Sequence, residues 1–396
     1  MATNFEQAPE FLNGVRSPMI YTLKDPFTGK KGFQYVLDVF IWAGDPNTLP
    51  TTPKYTLKKP PLVNGLASFD ISNLVKSEIQ ILPQPYNIKD VTEGGISILN
   101  VACKAGYIDA TGSDLANTTS ETVWATNGYY DYLEGFNQSL QDYDLTDRTK
   151  YLLRDDGNEI GCTFYDPNIN VTKINYRSKN NLYTLNLSTY YNILGNLNSP
   201  EKILYFPIGI ANLTAYNNTV GPFPSLTAVL NEGLISIGYD TTVFEYIKEV
   251  EILCEPKYQP ITVYFVNKYG AWDWLNFMKR KDFKTTMNSG EYTTRASQYL
   301  GNALTYNTDE GQIKRFNVDG SQFITMNTGY INEEAGDLVE QLLISENIIA
   351  SIDGHAVNNR PLNIESKEVD YKLGVNEKLI NYTITFKVAA TLLNTM

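Results

Sequence analysis

The chain has 396 residues, of which 42% are hydrophobic and 19% are charged. This balance is typical of folded globular domains, and the length favours two or three domains over one. With 32 basic and 44 acidic residues the net charge is −12, which argues against a nucleic acid or an anionic membrane as the main partner. Composition therefore excludes these partners but assigns no function.

The N-terminal segment lacks the features of a secretory signal. Residues 1–10 contain neither a basic n-region nor an apolar h-region. No apolar run elsewhere reaches the roughly 18 residues that a membrane-spanning helix needs. We therefore predict no signal peptide and no membrane partner, and we expect synthesis in the cytoplasm.

Two β-rich segments follow the N-terminus. Residues Pro18–Leu23 and Gly32–Ile41 are rich in β-branched and aromatic residues, and they flank the polar segment Asp25–Lys31. This arrangement predicts two strands joined as a hairpin with a long loop. Further along, Ser72 precedes apolar residues spaced three or four apart, so its hydroxyl is expected to cap a short helix.

Five short motifs recur along the chain in the same order, at offsets between 139 and 151 residues. They are Tyr35–Val39 with Tyr183–Leu187, Ile71–Leu74 with Ile210–Leu213, Cys103 with Cys254, Thr122–Trp124 with Thr262–Tyr264, and Gly128–Leu133 with Gly270–Leu275. A common order at a similar period predicts that one unit has been duplicated. Each copy would span roughly 130 residues, which suits an antiparallel β-sandwich.

The expected fold class is mainly β. We predict two tandem antiparallel β-sandwich-like domains, over residues 1–140 and 141–278, as the product of the internal duplication. A smaller α+β C-terminal domain is predicted over residues 279–396.

The C-terminal domain has three local signals. Asp319-Gly320 lies between two strand-like runs and predicts a hairpin turn. Asn332 precedes two acidic residues and an apolar stripe, which predicts a helix over 333–346. Apolar and polar residues alternate from Ile380 to Val388, which predicts a strand with one buried face. Completion of that strand by a neighbouring subunit is an alternative.

The titratable residues form no catalytic motif. His355 is the single histidine and follows an Asp-Gly turn signal, so we expect an exposed turn residue and not a catalytic base. Cys103, Cys162 and Cys254 have no Cys-x-x-Cys spacing, which indicates buried free thiols. The sequence also lacks phosphate-binding and nucleophile-elbow motifs. We predict that the protein is not an enzyme, and we assign no cofactor and no metal ligand.

Aromatic residues make up 12% of the chain and cluster at matching places in the two copies. The clusters are Tyr129, Tyr130 and Tyr132 in the first copy, and Trp272 and Trp274 in the second. The alternation of the two tryptophans puts both indoles on one face of a strand, which favours core or inter-domain packing. Contact with another protein or with a glycan is the alternative for all five residues.

Several segments resemble one group of bacterial virus proteins. The similarity is carried by Val263–Leu275 after Cys254–Pro260, and by Arg16–Tyr21, Tyr35–Ile41 and Phe69–Val75. These strings are similar to segments of uncharacterised virion structural proteins of tailed bacteriophages that infect Bacteroidota and related bacteria. The order of helix, turn and long final strand at the C-terminus is similar as well. The resemblance implies a particle component located in the virion, and it transfers no catalytic residue.

These observations together lead us to expect a non-enzymatic virion structural protein. A tail, baseplate or neck component that forms a symmetric homo-oligomer and contacts other virion proteins is the favoured interpretation. A capsid decoration or head-fibre protein is one alternative. A receptor- or glycan-binding module that contacts host surface polysaccharide is another.

Overall fold

The computed structural model describes residues 3–25, 28–80, 92–93, 97–110, 112–137, 144–165, 171–186, 202–241, 245–253, 257–294, 297–306, 309, 311–331, 335–351, 359–366 and 380–390. The chain folds as two compact units. Unit 1 comprises residues 1–255, 264–275 and 334–345, and unit 2 comprises residues 256–263, 276–333 and 346–396. Strands far outnumber helices among the described residues, so the predicted mainly β class is confirmed. The division into three consecutive domains stays a prediction.

The N-terminal part of unit 1 forms two sheets. Its strands are β1 (Asn4–Gln7), β2 (Leu12–Gly14), β3 (Ile20–Lys24), β4 (Gln34–Trp42), β5 (Tyr55–Lys59), β6 (Leu66–Asp70), β7 (Thr92–Glu93), β8 (Ile98–Asp109), β9 (Gly112–Thr119) and β10 (Val123–Thr126). One sheet has the order β2, β10, β8, β4, β5, with β9 also paired to β8. In it β2 runs parallel to β10, and the other neighbours are antiparallel. The second sheet has the antiparallel order β1, β3, β6.

The two strands predicted as a hairpin form, but they do not pair with each other. β3 pairs with β1 and β6, whereas β4 pairs with β5 and β8. Leu23 from β3 and Leu37 and Val39 from β4 lie in one buried cluster, together with Val101 from β8. The hairpin prediction was wrong because both strands bury side chains in the same core from different sheets, a relationship that strand composition does not reveal.

The next part of unit 1 forms a five-stranded sheet and a smaller one. Its strands are β11 (Lys150–Arg154), β12 (Ile160–Tyr165), β13 (Val171–Arg177), β14 (Leu182–Asn186), β15 (Lys202–Pro207), β16 (Ser236–Thr241) and β17 (Glu245–Leu253). One sheet has the order β11, β17, β16, β13, β14, in which β11 runs parallel to β17 and the other neighbours are antiparallel. β12 and β15 pair antiparallel, and β7 pairs with the other side of β15.

The described helices are short. They are α1 (Ser72–Lys76), α2 (Ile210–Val220), α3 (Pro224–Glu232) and α4 (Ala335–Ile344), with one 3-10 turn at Tyr132–Glu134. α4 confirms the helix predicted over 333–346, and its apolar stripe is buried through Leu338, Val339 and Leu342. The predicted capping role of Ser72 was wrong, because Ile71 stands at the N-cap and the Asp70 carboxylate accepts the Ser72 backbone N–H at 3.0 Å.

The remaining strands include the longest ones among the described residues. They are β18 (Ile261–Val266), β19 (Trp272–Phe277), β20 (Lys281–Thr293), β21 (Ser297–Leu300), β22 (Ala303–Tyr306), β23 (Ile313–Asn327), β24 (Ile348–Ser351), β25 (Asn359–Ile364) and β26 (Thr383–Val388). β18 and β19 are divided between the two units. In unit 2 the strands β24, β25, β26, β23 and β20 lie side by side, all antiparallel, and β21 pairs with β22. β26 confirms the predicted final strand, with Ile384, Phe386 and Val388 buried.

Asp319 and Gly320 do not form the predicted hairpin turn. Both lie inside β23, where they pair with Asn288 and Met287 of β20. The register then shifts, so that two residues of β23 stand opposite one residue of β20, and Asn317 adopts a positive φ of 49°. The β-bulge therefore lies at Asn317 and Val318, next to the Asp-Gly pair, and Asn317 is the residue with the left-handed backbone.

Candidate functional site

The two tryptophans of the predicted aromatic cluster lie in the interior of unit 1. Trp272 is 4% exposed and Trp274 is 1% exposed. The backbone N–H of Trp272 donates to the Tyr205 hydroxyl at 3.0 Å, and the indole N–H of Trp274 donates to the carbonyl of Ile160 at 2.7 Å. At this burial neither ring can contact a glycan or another subunit, so both serve packing.

A cluster of buried charges surrounds Trp274. The guanidinium of Arg148 lies 4.1 Å from the centre of the indole and pairs with Asp273 at 2.9 Å. Lys248 pairs with Asp144 and donates to the backbone carbonyl of Arg148. Because a buried charge is costly without a partner, these contacts fix the segment 144–148 in the core of unit 1. The cluster has a structural role, since its charged side chains form ion pairs and hydrogen bonds with one another.

The cysteines follow the prediction where the structure describes them. Cys103 and Cys162 are free and buried, and burial raises the pKa of both thiols. Because the thiolate is the reactive form, neither group is suited to nucleophilic chemistry. Cys254 and His355 lie outside the described residues. Among the described residues, no group of three or more histidine, cysteine or acidic side chains is arranged to bind a metal ion.

The segment Tyr129–Asn137, here named the apolar loop, begins on two anchored tyrosines. The backbone N–H of Tyr129 donates to the carbonyl of Lys268 at 2.7 Å, and burial raises the pKa of its phenol to about 12. The backbone N–H of Tyr130 donates to the Ser17 hydroxyl at 2.7 Å, and its own hydroxyl donates to the carbonyl of Leu12 at 3.1 Å. Both tyrosines are half-buried and serve as the base of the loop.

The middle of the apolar loop points large apolar side chains at solvent. Tyr132 is 97% exposed, Leu133 is 95% exposed and Phe136 is 48% exposed. Three such residues lie within five positions, and exposed apolar groups that lie together can mark an interaction site. Tyr132 was among the predicted contact residues, whereas Leu133 and Phe136 were not predicted.

The apolar loop is hydrogen-bonded at both of its ends in spite of its exposure. The side-chain amide of Asn137 donates to the Ile20 carbonyl at 2.7 Å and accepts the Ile20 backbone N–H at 2.7 Å, as a neighbouring strand would. The carboxylate of Glu134 accepts the backbone N–H of Asp131 at 2.9 Å. A loop fixed in this way loses little conformational entropy when it binds a partner.

Unit 2 carries a second exposed surface, the two-stranded ribbon formed by β20 and β23. β20 has 13 residues, and at about 3.4 Å per residue it extends roughly 44 Å. β26 pairs with β23 only between Phe323 and Asn327. Within the part of the chain that the structure describes, Ile313–Gln322 therefore pairs with β20 alone. An isolated two-stranded ribbon is marginally stable in water, which favours a covering partner.

Both faces of the ribbon expose large apolar side chains. Tyr292 and Phe316 lie on one face and are 49% and 51% exposed. Phe283 and Met287 lie on the other face and are 59% and 60% exposed. The position of each pair follows from the alternation of side chains along β20 and from the register with β23. The ribbon thus offers two distinct apolar surfaces.

Gly290 sets the position of the Phe316 ring. The two residues are directly opposite each other, and a Cβ atom on Gly290 would lie 2.6 Å from that ring. The ring therefore lies across the glycine, an arrangement that protects a strand glycine with a cross-strand aromatic. Tyr292 contacts the same ring edge-on, with centroids 5.8 Å apart. Sequence reasoning missed this site because it placed a turn at Asp319-Gly320.

No protein family model matches the chain, and no curated protein matches it. Among the described residues, no helix combines the length and the apolar character needed to cross a bilayer. Among the described residues, the ribbon of unit 2 and the apolar loop of unit 1 both expose neighbouring large apolar side chains.

Proposed function

We propose that the chain is a non-enzymatic structural subunit of a tailed bacteriophage particle. Its place is the tail, baseplate or neck, where it forms a symmetric homo-oligomer and contacts other virion proteins. The observation that carries this proposal is the ribbon, with large apolar side chains exposed on both faces. Such a ribbon is stabilised when a neighbouring subunit covers it, and a subunit of a permanent assembly always has that neighbour.

The proposal includes two tandem β-sandwich-like domains that arose by duplication. The order β2, β10, β8, β4, β5 and the order β11, β17, β16, β13, β14 agree in the direction of each strand pair. β3 and β6 pair as β12 and β15 do, and α1 and α2 follow β6 and β15 in the chain. Each of the two sheets is mixed and has its parallel pair at the same edge, and this agreement supports a common origin.

The residues that correspond to each other in the two sets of strands are mostly not the ones that the recurring sequence motifs match. Ile71 and Ile210 agree with it, because each stands at the start of a helix after corresponding strands. Tyr35 lies in β4, whereas Tyr183 lies in β14, the counterpart of β5. The resemblance between those two motifs therefore reflects the common composition of strands, and the duplication is better argued from the pairing of strands.

Two alternatives remain as candidate functions. A capsid decoration or head-fibre protein would use the same exposed ribbon and differs in copy number, which is hundreds per particle for a shell protein. A receptor- or glycan-binding module is favoured by Tyr132, because an exposed aromatic ring can stack on a sugar. The buried Trp272 and Trp274 give the glycan candidate no support.

The proposal is tested on particles purified from an infected host culture. Quantitative mass spectrometry against an internal standard should find the chain in the density-gradient band of intact particles, at a constant copy number. About 6 to 18 copies fit a ring or tail component, and hundreds fit the shell. A stop codon early in the gene should yield particles that are incomplete at the site of the subunit. Intact particles that lack the chain would disprove the proposed function.

A further inference from the structure

We infer that the ribbon of one copy docks on the apolar loop of a second copy, so that the chain assembles head to tail. This inference rests on the proposed function, because it names the partner and the site for the ribbon. A contact between two different surfaces of the same chain can repeat around an axis and close a ring. The symmetric oligomer proposed above requires a contact of this kind or a self-complementary one.

The apolar chemistry of the two surfaces is complementary. The ribbon offers Tyr292 and Phe316, an exposed edge-on aromatic pair. The apolar loop offers Tyr132, Leu133 and Phe136 on a backbone that is already fixed. Aromatic side chains with aliphatic neighbours are the typical centre of a protein interface, and a fixed loop reduces the entropy lost on docking.

Charge favours this pairing over contact between two ribbons. Lys314 lies directly opposite Tyr292 and is exposed, so it flanks the aromatic pair with a positive charge. The apolar loop contains Asp131 and Glu134 and no basic residue. Residues 281–327 carry five basic and five acidic side chains, so the net charge of −12 lies outside the ribbon segment. Complementary charge therefore directs the ribbon to the loop of a neighbour.

Another exposed apolar pair in unit 1 lacks this complementarity. Leu62 and Val63 are 54% and 110% exposed in a turn of unit 1. The strand before that turn ends with Lys58 and Lys59, which carry the same sign of charge as Lys314. Juxtaposed like charges oppose docking, so this turn is the natural control and not the proposed site.

The experiment measures the mass of the full-length chain by light scattering over a concentration series. The loop variant Tyr132→Ser/Leu133→Ser and the ribbon variant Tyr292→Thr/Phe316→Thr should each be monomeric. An equimolar mixture of the two should form a heterodimer and nothing larger, because the pair has one intact ribbon, one intact loop and a single possible contact. Circular dichroism of each variant checks that the fold is unchanged.

Matched controls separate the proposed faces from general surface hydrophobicity. Phe283→Thr/Met287→Thr changes the opposite face of the same ribbon and should keep the wild-type mass. Leu62→Ser/Val63→Ser removes an equally exposed pair from unit 1 and should also keep it. Lys314→Glu reverses one charge without removing a ring, and it should weaken self-association about tenfold.

Three outcomes would overturn the inference. The loop variant could remain oligomeric, the mixture could fail to form a heterodimer, or the wild-type chain could be monomeric at about 100 µM, where even a weak contact is populated. In each case the role as a particle component stands if the chain is present in purified particles, because the ribbon then meets a different partner. A monomeric wild-type chain would remove the homo-oligomer from the proposed function. If the chain is absent from purified particles, the proposed function itself is disproved.

Discussion

The guanidinium of Arg148 lies 4.1 Å from the centre of the Trp274 indole, and both side chains are almost completely buried. The ring of Tyr151 stacks on the same indole with an interplanar angle of 22°. A cation over an aromatic face is attracted by the ring quadrupole, and the attraction is stronger away from water. Trp274 therefore contributes to the electrostatics of the core of unit 1 as well as to its packing.

Replacing Arg148 should destabilise unit 1 strongly. In Arg148→Met the Asp273 carboxylate would stay buried without its ionic partner, and we expect a loss of about 3–5 kcal/mol. Urea unfolding followed by tryptophan fluorescence measures the loss. The double variant Arg148→Met/Asp273→Asn should recover part of it, since the buried charge is then removed.

The matched control for this prediction is the exposed ion pair of Lys24 and Glu6, whose side chains are 59% and 51% accessible. Lys24→Met should change stability by less than about 1 kcal/mol. Equal effects of the two substitutions would contradict a special contribution from the buried cluster.

The aromatic residues of the two clusters should differ in their response to substitution. Trp274→Ala removes a buried ring together with its hydrogen bond to Ile160, so we expect a loss of about 3–5 kcal/mol. Tyr132→Ala changes a side chain that is 97% exposed, so its effect should stay within about 0.5 kcal/mol. Chemical denaturation compares the two variants directly. A folded Trp274→Ala protein of wild-type stability would contradict the packing role.

Glu232 should make the end of α3 sensitive to acid. Its carboxylate accepts the Ser178 hydroxyl at 2.7 Å and two N–H groups of Asn180 at 3.0 and 3.2 Å. These hydrogen bonds, led by the one from Ser178, lower the pKa of Glu232 from 4.5 to about 2. A carboxyl whose pKa is lower in the folded state stabilises the fold above its unfolded pKa and loses that effect as the pH falls.

The test compares wild type with Glu232→Gln in thermal melts between pH 2 and pH 7. Wild type should melt at the higher temperature at pH 7. The difference should shrink as the pH falls from about 4.5 towards 2, where the folded-state carboxyl takes up its proton. Parallel profiles for the two proteins would show that these hydrogen bonds do not stabilise the charged form.

Gly128 should not tolerate a side chain. A Cβ atom there would lie 2.4 Å from the carbonyl oxygen of Lys268 and 3.0 Å from the backbone of Tyr269. Because those are backbone atoms, Gly128→Ala should cost about 2 kcal/mol through displacement of the packed turns. Gly29→Ala is the control, since no atom lies within 4 Å of its Cβ position. Differential scanning calorimetry should show a lower melting temperature for Gly128→Ala alone.

The spacing of apolar residues along the sequence correctly predicted the elements that bury one face, namely the final strand and the C-terminal helix. The alternation from Ile380 to Val388 and the stripe through Leu338 and Leu342 each give one buried face, and both elements form. Partners of strands were harder to predict. Composition marks Ile20–Lys24 and Gln34–Trp42 as strands, but only the tertiary fold assigns them to different sheets.

The candidate site was hidden from sequence reasoning by one ambiguous signal. Asp319-Gly320 predicts a hairpin turn, but both residues pair regularly inside β23 and the positive φ angle falls at Asn317. Only the pairing of Asp319 with the distant Asn288 shows that the strand continues through this position. Tyr132 was found through its aromatic neighbours, whereas Leu133 was not, because exposure of an aliphatic residue has no local signature.

The continuity of β23 gives the ribbon a mechanical property. The same strand pairs with β20 along the ribbon and with β26 from Phe323 to Asn327. Hydrogen bonds of an antiparallel pair run perpendicular to the strands, so tension along β23 loads these bonds together in shear and does not open them one at a time. A neighbour that pulls on the part of the ribbon beyond β26 would therefore transmit its force along β23 into the sheet of unit 2.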